Sequence, residues 1–118
     1  EWIYRHLHWA SGEMIRLAAK HPMAGALLTR FLNQAARELM LAQSSDWAFI
    51  MKMKTVVPYA VRRTTEHLQA FQSLRDQIQN GQLDISAVSE LENRHNLFPN
   101  LDYRCYRKDY QAPKRSPS

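Results

Sequence analysis

Apolar residues recur at helical spacing along three long stretches of this chain, and the residues that interrupt them are helix terminators, not strand turns. Between residues 2 and 20, Ile3, Leu7, Ala10, Met14, Leu17 and Ala18 fall on one side of a helix, with Arg5, Arg16 and Lys20 on the other. His21-Pro22 ends this segment, because the residue before a proline is pushed out of helical geometry. Residues 23–43 repeat the pattern with Leu28, Phe31, Leu32, Ala35, Leu39 and Ala42, opposite Arg30, Asn33, Gln34 and Arg37. A third helix is predicted from Pro58, whose missing N–H is harmless in a first turn. Its buried stripe is Ala60, Thr64, His67, Leu68, Phe71, Leu74 and Ile78, while Arg62 and Glu66 are placed to pair on the solvent side. Asn80-Gly81 supplies the stop, since glycine accepts the left-handed cap.

A short fourth helix is predicted around residues 86–95, with Val88 and Leu91 inward and Asp84 or Ser86 as cap. From Leu97 to Tyr106 the chain reads as extended and aromatic, packing across a surface. No strand pair and no internal repeat compete with this reading. The expectation is therefore all-α: an antiparallel bundle of three long helices, a short fourth helix and an extended C-terminal segment.

The run from Gln34 to Met51 changes character half-way. It starts as an amphipathic helix and then sets Ser44, Ser45, Asp46 and Trp47 side by side. Ser and Asp compete for backbone hydrogen bonds, so the helix is expected to weaken or restart there. Two hydroxyls, a carboxylate and an indole together make this the first place to look for function.

With 118 residues the chain has room for one core but not for a separate cofactor fold. No window approaches the roughly 18 uninterrupted apolar residues of a membrane span. The chain opens inside an apparent helix and without methionine, as a piece of a longer protein would. Its one cysteine, Cys105, fits a reducing, cytoplasmic setting. The formal charge is +5, and five basic residues against Asp109 within 104–115 account for most of it. This divides the chain into a helical domain, 1–106, and a basic tail, 107–118, read as a solvated, disordered terminus; no zinc-finger, RNA-recognition or helix-turn-helix signature accompanies it.

Catalytic motifs are missing. His6 and His8 point about 200° apart on a helix and cannot share an ion, there is no His-Glu-x-x-His pair, and Gly12, Gly25 and Gly81 are too scattered for a phosphate loop. No metal and no cofactor are expected. A glycoside-cleaving site needs two carboxyls roughly 5 to 10 Å apart. The acids fall mostly on solvent faces; Asp46, between Ser45 and Trp47, is singled out, and one carboxylate cannot be the pair. Two aromatic features stay open between readings. Trp2, His6, Trp9 and Glu13 share a helical face at the edge of the apolar stripe, as core fill, as a docking surface for a neighbouring domain, or as a platform for sugar rings. Tyr59, Arg63 and His67 share a face of the third helix and fit a polar network tied to Asp46, with an Asp46–Arg63 pair.

Taken together, Trp2-Ile3-Tyr4-Arg5-His6-Leu7-His8, the run Gln34–Leu39 with Gln43–Met51, Tyr59-Ala60-x-Arg62-Arg63 with His67, and Asn96-Leu97-Phe98-Pro99 with Asp102-Tyr103-Arg104 resemble the C-terminal helical region of glycoside hydrolase family 57 1,4-α-glucan branching enzymes. The resemblance spans about residues 1 to 106. It implies an upstream catalytic barrel that carries the glutamate nucleophile and aspartate acid/base, and makes α-1,6 branches in a glycogen- or starch-like glucan by retaining transfer. It implies that Trp2, Asp46 and Trp47 help to form the glucan-binding cleft, supported by Tyr59, Arg63 and His67, with no catalytic residue in this piece. Trp9 and Ala48 depart from the family pattern, which is commonly polar or charged at the first position and proline at the second. Alternatives are the helical domain of a 4-α-glucanotransferase or amylase-like hydrolase, and an independent interaction module with a nucleic-acid-binding tail.

Overall fold

A computed structural model of the chain describes the backbone at residues 2–51 and 58–108 and side chains at 3–44 and 61–108. The helices are α1 (Trp2–Lys20), α2 (Ala26–Met51), α3 (Pro58–Asn80) and α4 (Ile85–Arg94), followed by a 3₁₀ turn at Tyr103–Tyr106. There is no strand among the described residues. The fold is all-α, as the periodicity requires.

Cross-helix contacts give the directions. Trp9 meets Phe71 and Glu13 meets Arg75, so α1 and α3 run parallel. Arg30 meets Glu92 and Gln34 reaches the His95 carbonyl, so α4 runs parallel to α2. The short turn at residues 21–25, together with Gln43 donating to Ser11 Oγ at 3.2 Å, sets α2 antiparallel to α1. The core is the set the stripes predict: Ile3, Leu7, Ala10, Met14, Leu17 and Ala18 from α1, Phe31, Leu32, Ala35, Leu39 and Ala42 from α2, and Leu68, Phe71, Leu74 and Ile78 from α3, with Val88 added from α4. A large side chain taken fully out of water contributes roughly 1.5 to 3 kcal/mol, which sets the scale for each stripe position.

The helix ends follow local chemistry. Gly81 adopts φ +69° and closes α3. Asp84 is the cap of α4, its carboxylate accepting from the Ala87 N–H at 3.2 Å. At the start of the 3₁₀ turn, Asp102 accepts from the Arg104 N–H at 2.9 Å.

Four expectations are corrected. The Ser44-Ser45-Asp46 segment does not break the helix; α2 continues to Met51. Three poor helix formers cost a few tenths of a kcal/mol each, and an established helix gains one backbone bond per added residue. The segment after Asn96 is not extended throughout, because the Asp102 cap winds residues 103–106 into a turn. Glu66 pairs with Arg63 at 3.7 Å, one position nearer than the expected Arg62. Gln34 and Arg37, assigned to the solvent face, are buried. The reason is α4, which lies over that side of α2.

The C-terminal segment is fastened to the far end of α1. Tyr103 is fully buried, its backbone N–H donates to Asn33 Oδ1 at 2.9 Å, and its hydroxyl donates to the His21 carbonyl. Arg104 Nε donates to the Pro22 carbonyl at 2.9 Å, and Arg107 donates to the carbonyls of Ala18 and Ala19 at 3.0 and 3.3 Å. Those two are among the last carbonyls of α1, which have no partner further along the helix, and a cation there also suits the helix dipole. Arg104 and Arg107, read from the sequence as part of a basic run, are fixed to this helix end.

Candidate functional site

The densest polar chemistry among the described residues lies inside the bundle. Glu38, in the middle of α2, is fully buried, and a carboxylate in that position needs several donors. It has three. His67 from α3 approaches Oε1 with Nδ1 at 2.7 Å, His95 at the end of α4 approaches Oε2 with Nδ1 at 2.8 Å, and Gln34 one turn away donates to Oε2 at 2.8 Å. With Glu38 as acceptor, each imidazole presents an N–H to it at Nδ1. The two rings meet edge to face with centroids 4.5 Å apart.

The network continues outward through Gln34, whose Nε2 also reaches the carbonyls of Leu91 and His95 at 3.3 and 3.4 Å. Its Oε1 accepts from Arg37. Arg37 Nε donates to the Phe98 carbonyl at 3.3 Å. Burial pushes the Arg37 guanidinium down from its ordinary value, while the negative charges of Glu92 and Glu38 act against that fall. Phe98 has a left-handed backbone, φ 56°, which costs about 1 to 2 kcal/mol outside glycine. The bonds its carbonyl accepts from Arg37 and from the Leu101 N–H at 3.1 Å offset that cost. One buried carboxylate thus fixes α2, α3, α4 and the loop after α4 in a single register.

Glu38, His67 and His95 also bring one metal-ligand type of atom each within 4.8 Å of one another. Two imidazole nitrogens and a carboxylate are a reasonable ligand set in kind. Glu38 stands at hydrogen-bond distance from each histidine, 2.7 and 2.8 Å, while the two imidazoles meet only through their rings. The sequence argument about histidines considered close neighbours such as His6 and His8 and missed this triad, whose members come from three helices. A glutamate on the edge of an apolar stripe and a histidine within one were the available signals.

A second polar system joins α1 to α3. Arg75 donates from Nε to Glu13 Oε1 at 2.8 Å and pairs with Asp76 at 2.8 Å. Glu13 is itself buried and also binds Arg16 at 3.0 Å. Between α2 and α4, Arg30 grips Glu92 through two nitrogens at 3.2 and 2.6 Å and reaches Ser89 Oγ at 3.2 Å.

Of the residues singled out from sequence, His67 is buried and belongs to the Glu38 network, and Arg63 is half-exposed beside Glu66. Trp2 opens α1, Asp46 and Trp47 lie in the last turns of α2, and Tyr59 lies in the first turn of α3. Their side chains, and with them the expected Asp46–Arg63 pair, lie outside the described residues. A recess of about 300 Å³ is lined by Met40, Gln43 and Ser44 of α2 and by Phe98.

Fold and site thus define a helical bundle locked by buried polar networks. Residues 6–106 match the protein family described as "1,4-alpha-glucan branching enzyme, C-terminal". The chain belongs to that family. It is 30% identical over 102 residues to the 1,4-alpha-glucan branching enzyme TK1436 of Thermococcus kodakarensis, a match covering 83% of this chain and 15% of that protein. It also superimposes on the crystal structure of the α-amylase AmyC from Thermotoga maritima with TM-score 0.82 and 43% identity, over 93% of this chain and 21% of that one. The chain therefore spans about a seventh to a fifth of the length of these relatives. No helix of the described residues is long and apolar enough to cross a membrane.

Proposed function

We propose that this chain is the C-terminal helical domain of a cytoplasmic 1,4-α-glucan branching enzyme, and that it shapes one side of the glucan cleft while the rest of the polypeptide performs the bond exchange. The observation that carries this is the family match over residues 6–106. The partners are an α-glucan chain and the catalytic barrel of the same polypeptide. Trp2, Asp46 and Trp47 contact glucan, with Tyr59, Arg63 and His67 behind them. No step of the exchange is given to the bundle's own buried or clamped carboxylates, since Glu13, Glu38 and Glu92 are each engaged by arginine or histidine. The domain's contribution is positional. A rigid wall over the cleft excludes water while the acceptor chain docks, and this favours transfer to a sugar hydroxyl over hydrolysis.

The Glu38 network supports such a role, because a positioning element works only if its own helices cannot shift. In the full-length enzyme, Trp2→Ala is expected to lower the ratio of transfer to hydrolysis and to weaken glucan binding. An unchanged ratio with unchanged affinity would remove Trp2 from the cleft. A second reading, an amylase-like hydrolase, is favoured by the higher identity to the α-amylase structure, 43% against 30%. Counting new α-1,6 linkages in the products separates the two.

A further inference from the structure

Trp9 is 41% exposed, and it does not dangle. The Phe71 ring meets it edge-on, centroids 6.3 Å apart at 88°. The Arg75 guanidinium stands over the indole, 5.5 Å from its centroid, and is held there by Glu13 at 2.6 Å and by Asp76 at 2.8 Å. Glu13 lies one turn further along α1, and Arg5 and His6 lie one turn back. On that earlier side the indole borders a recess of about 310 Å³ lined by Arg5, His6, Trp9 and Gln72. An exposed indole costs apolar hydration, and two neighbours fix it in one orientation, with Arg75 over one face, so the part left to solvent is a preorganised apolar surface beside a guanidinium, an imidazole and a carboxamide.

That combination suits one chemistry. A sugar ring has an apolar C–H face, which stacks on an indole, and a rim of hydroxyls, which need donors and acceptors at the edge of the plate. An apolar protein surface would leave the carboxamide and guanidinium beside it short of partners. We infer that Trp9, with Arg5, His6 and Gln72 around it, is an outlying binding site for an α-glucan chain on the α1–α3 face of the domain. This rests on the proposed function for the class of ligand, and it extends it. Trp9 lies seven residues after Trp2, and at 1.5 Å per residue that places it about 10.5 Å along the same side of α1. A glucan that meets the domain at Trp2 is then held again further out, so the site favours long chains over short ones.

The test uses the full-length enzyme, with amylose as the long substrate and a short malto-oligosaccharide as the reference. Trp9→Ala is expected to raise KM for amylose about three- to tenfold, the range an aromatic contact supplies, and to leave kcat/KM for the short substrate within about twofold. Retardation of the enzyme in glycogen-containing native gels falls in parallel. Gln72→Ala, an exposed change with little consequence for folding, gives a smaller loss in the same direction. Equal amylose KM and equal gel retardation in wild type and both variants overturn the site. So does a loss shared by long and short substrates with a lowered unfolding temperature, which would make Trp9 a docking residue for the rest of the enzyme. A wild-type enzyme that acts on the short substrate but is not retarded by glycogen overturns this site and leaves the proposed function standing, whereas absence of any action on α-glucan overturns both.

Discussion

Replacing Glu38 with alanine removes the acceptor shared by His67, His95 and Gln34. Gln34 keeps other partners, the carbonyls of Leu91 and His95, so its amide is not stranded. The two imidazoles are. A buried donor that loses its partner costs about 1 to 3 kcal/mol, so the pair sums to roughly 2 to 6. A shift of each proton to Nε2 does not help, because it replaces an unpaired donor with an unpaired acceptor. Water entering the space vacated by the carboxylate lowers the upper end, which leaves about 2 to 5 kcal/mol, a range that includes the loss typical of other buried ionic groups that lose a member.

Glu38→Gln behaves differently. Its carboxamide oxygen accepts from one imidazole, and its amide donates to the other once that ring changes tautomer, so the loss should be about 1 to 2 kcal/mol. Hydrogen exchange on the full-length enzyme reads both changes where they occur. Amides of α2 and α3 around Leu39 and Leu68 should lose protection by about one and a half to three and a half decades in the alanine variant and by about one decade in the glutamine variant. The reasoning fails if alanine costs less than a decade, or if glutamine is the more damaging of the two.

Two further outcomes follow from single residues. Gly81→Ala should destabilise the domain by about 1 kcal/mol through backbone strain alone, because φ is +69° and an added Cβ meets nothing within 4 Å; chemical denaturation checks this, and a loss above twice that size would mean a clash that the open surroundings exclude. Burial pushes the Tyr106 phenol up to about 12, so between pH 10 and that value the unfolded chain releases a proton that the folded one retains, and stability falls as pH rises. The ceiling is about 2.7 kcal/mol, nearer 1 after allowing for the part of the ring in water. Burial and the nearby Asp102 charge push the Cys105 thiol up as well, in the same direction. Tyr106→Phe should flatten the alkaline slope of unfolding free energy; an unchanged slope would show that the phenol is not sheltered.

The helices and their apolar faces were legible because they depend on periodicity, a property each segment has alone. His21-Pro22, Asn80-Gly81 and Asp84 mark ends by the same local logic, and the structure puts ends there. The polar interior was not legible. Gln34 and Arg37 look solvent-facing until α4 covers them, and α4 joins them from about sixty positions later. Glu38 and His95 drew no attention because a lone charged residue has no sequence signal for a partner on another helix. The continuity of α2 through Ser44-Ser45-Asp46 was misjudged for the converse reason, since local preference was given more weight than the helix on either side.

The clasp on α1 has a temporal consequence. The carbonyls of Ala18, His21 and Pro22 wait for Arg107, Tyr103 and Arg104, which lie 82 to 89 positions further along the chain. During synthesis, α1 leaves the ribosome long before its own terminus can be closed, and three helices assemble against an end still open to water and to chaperones. A chain interrupted before Tyr103 has the apolar faces of all four helices but lacks both the fastening and the buried Tyr103 ring. Such a product would be frayed at the end of α1 and a ready substrate for proteases.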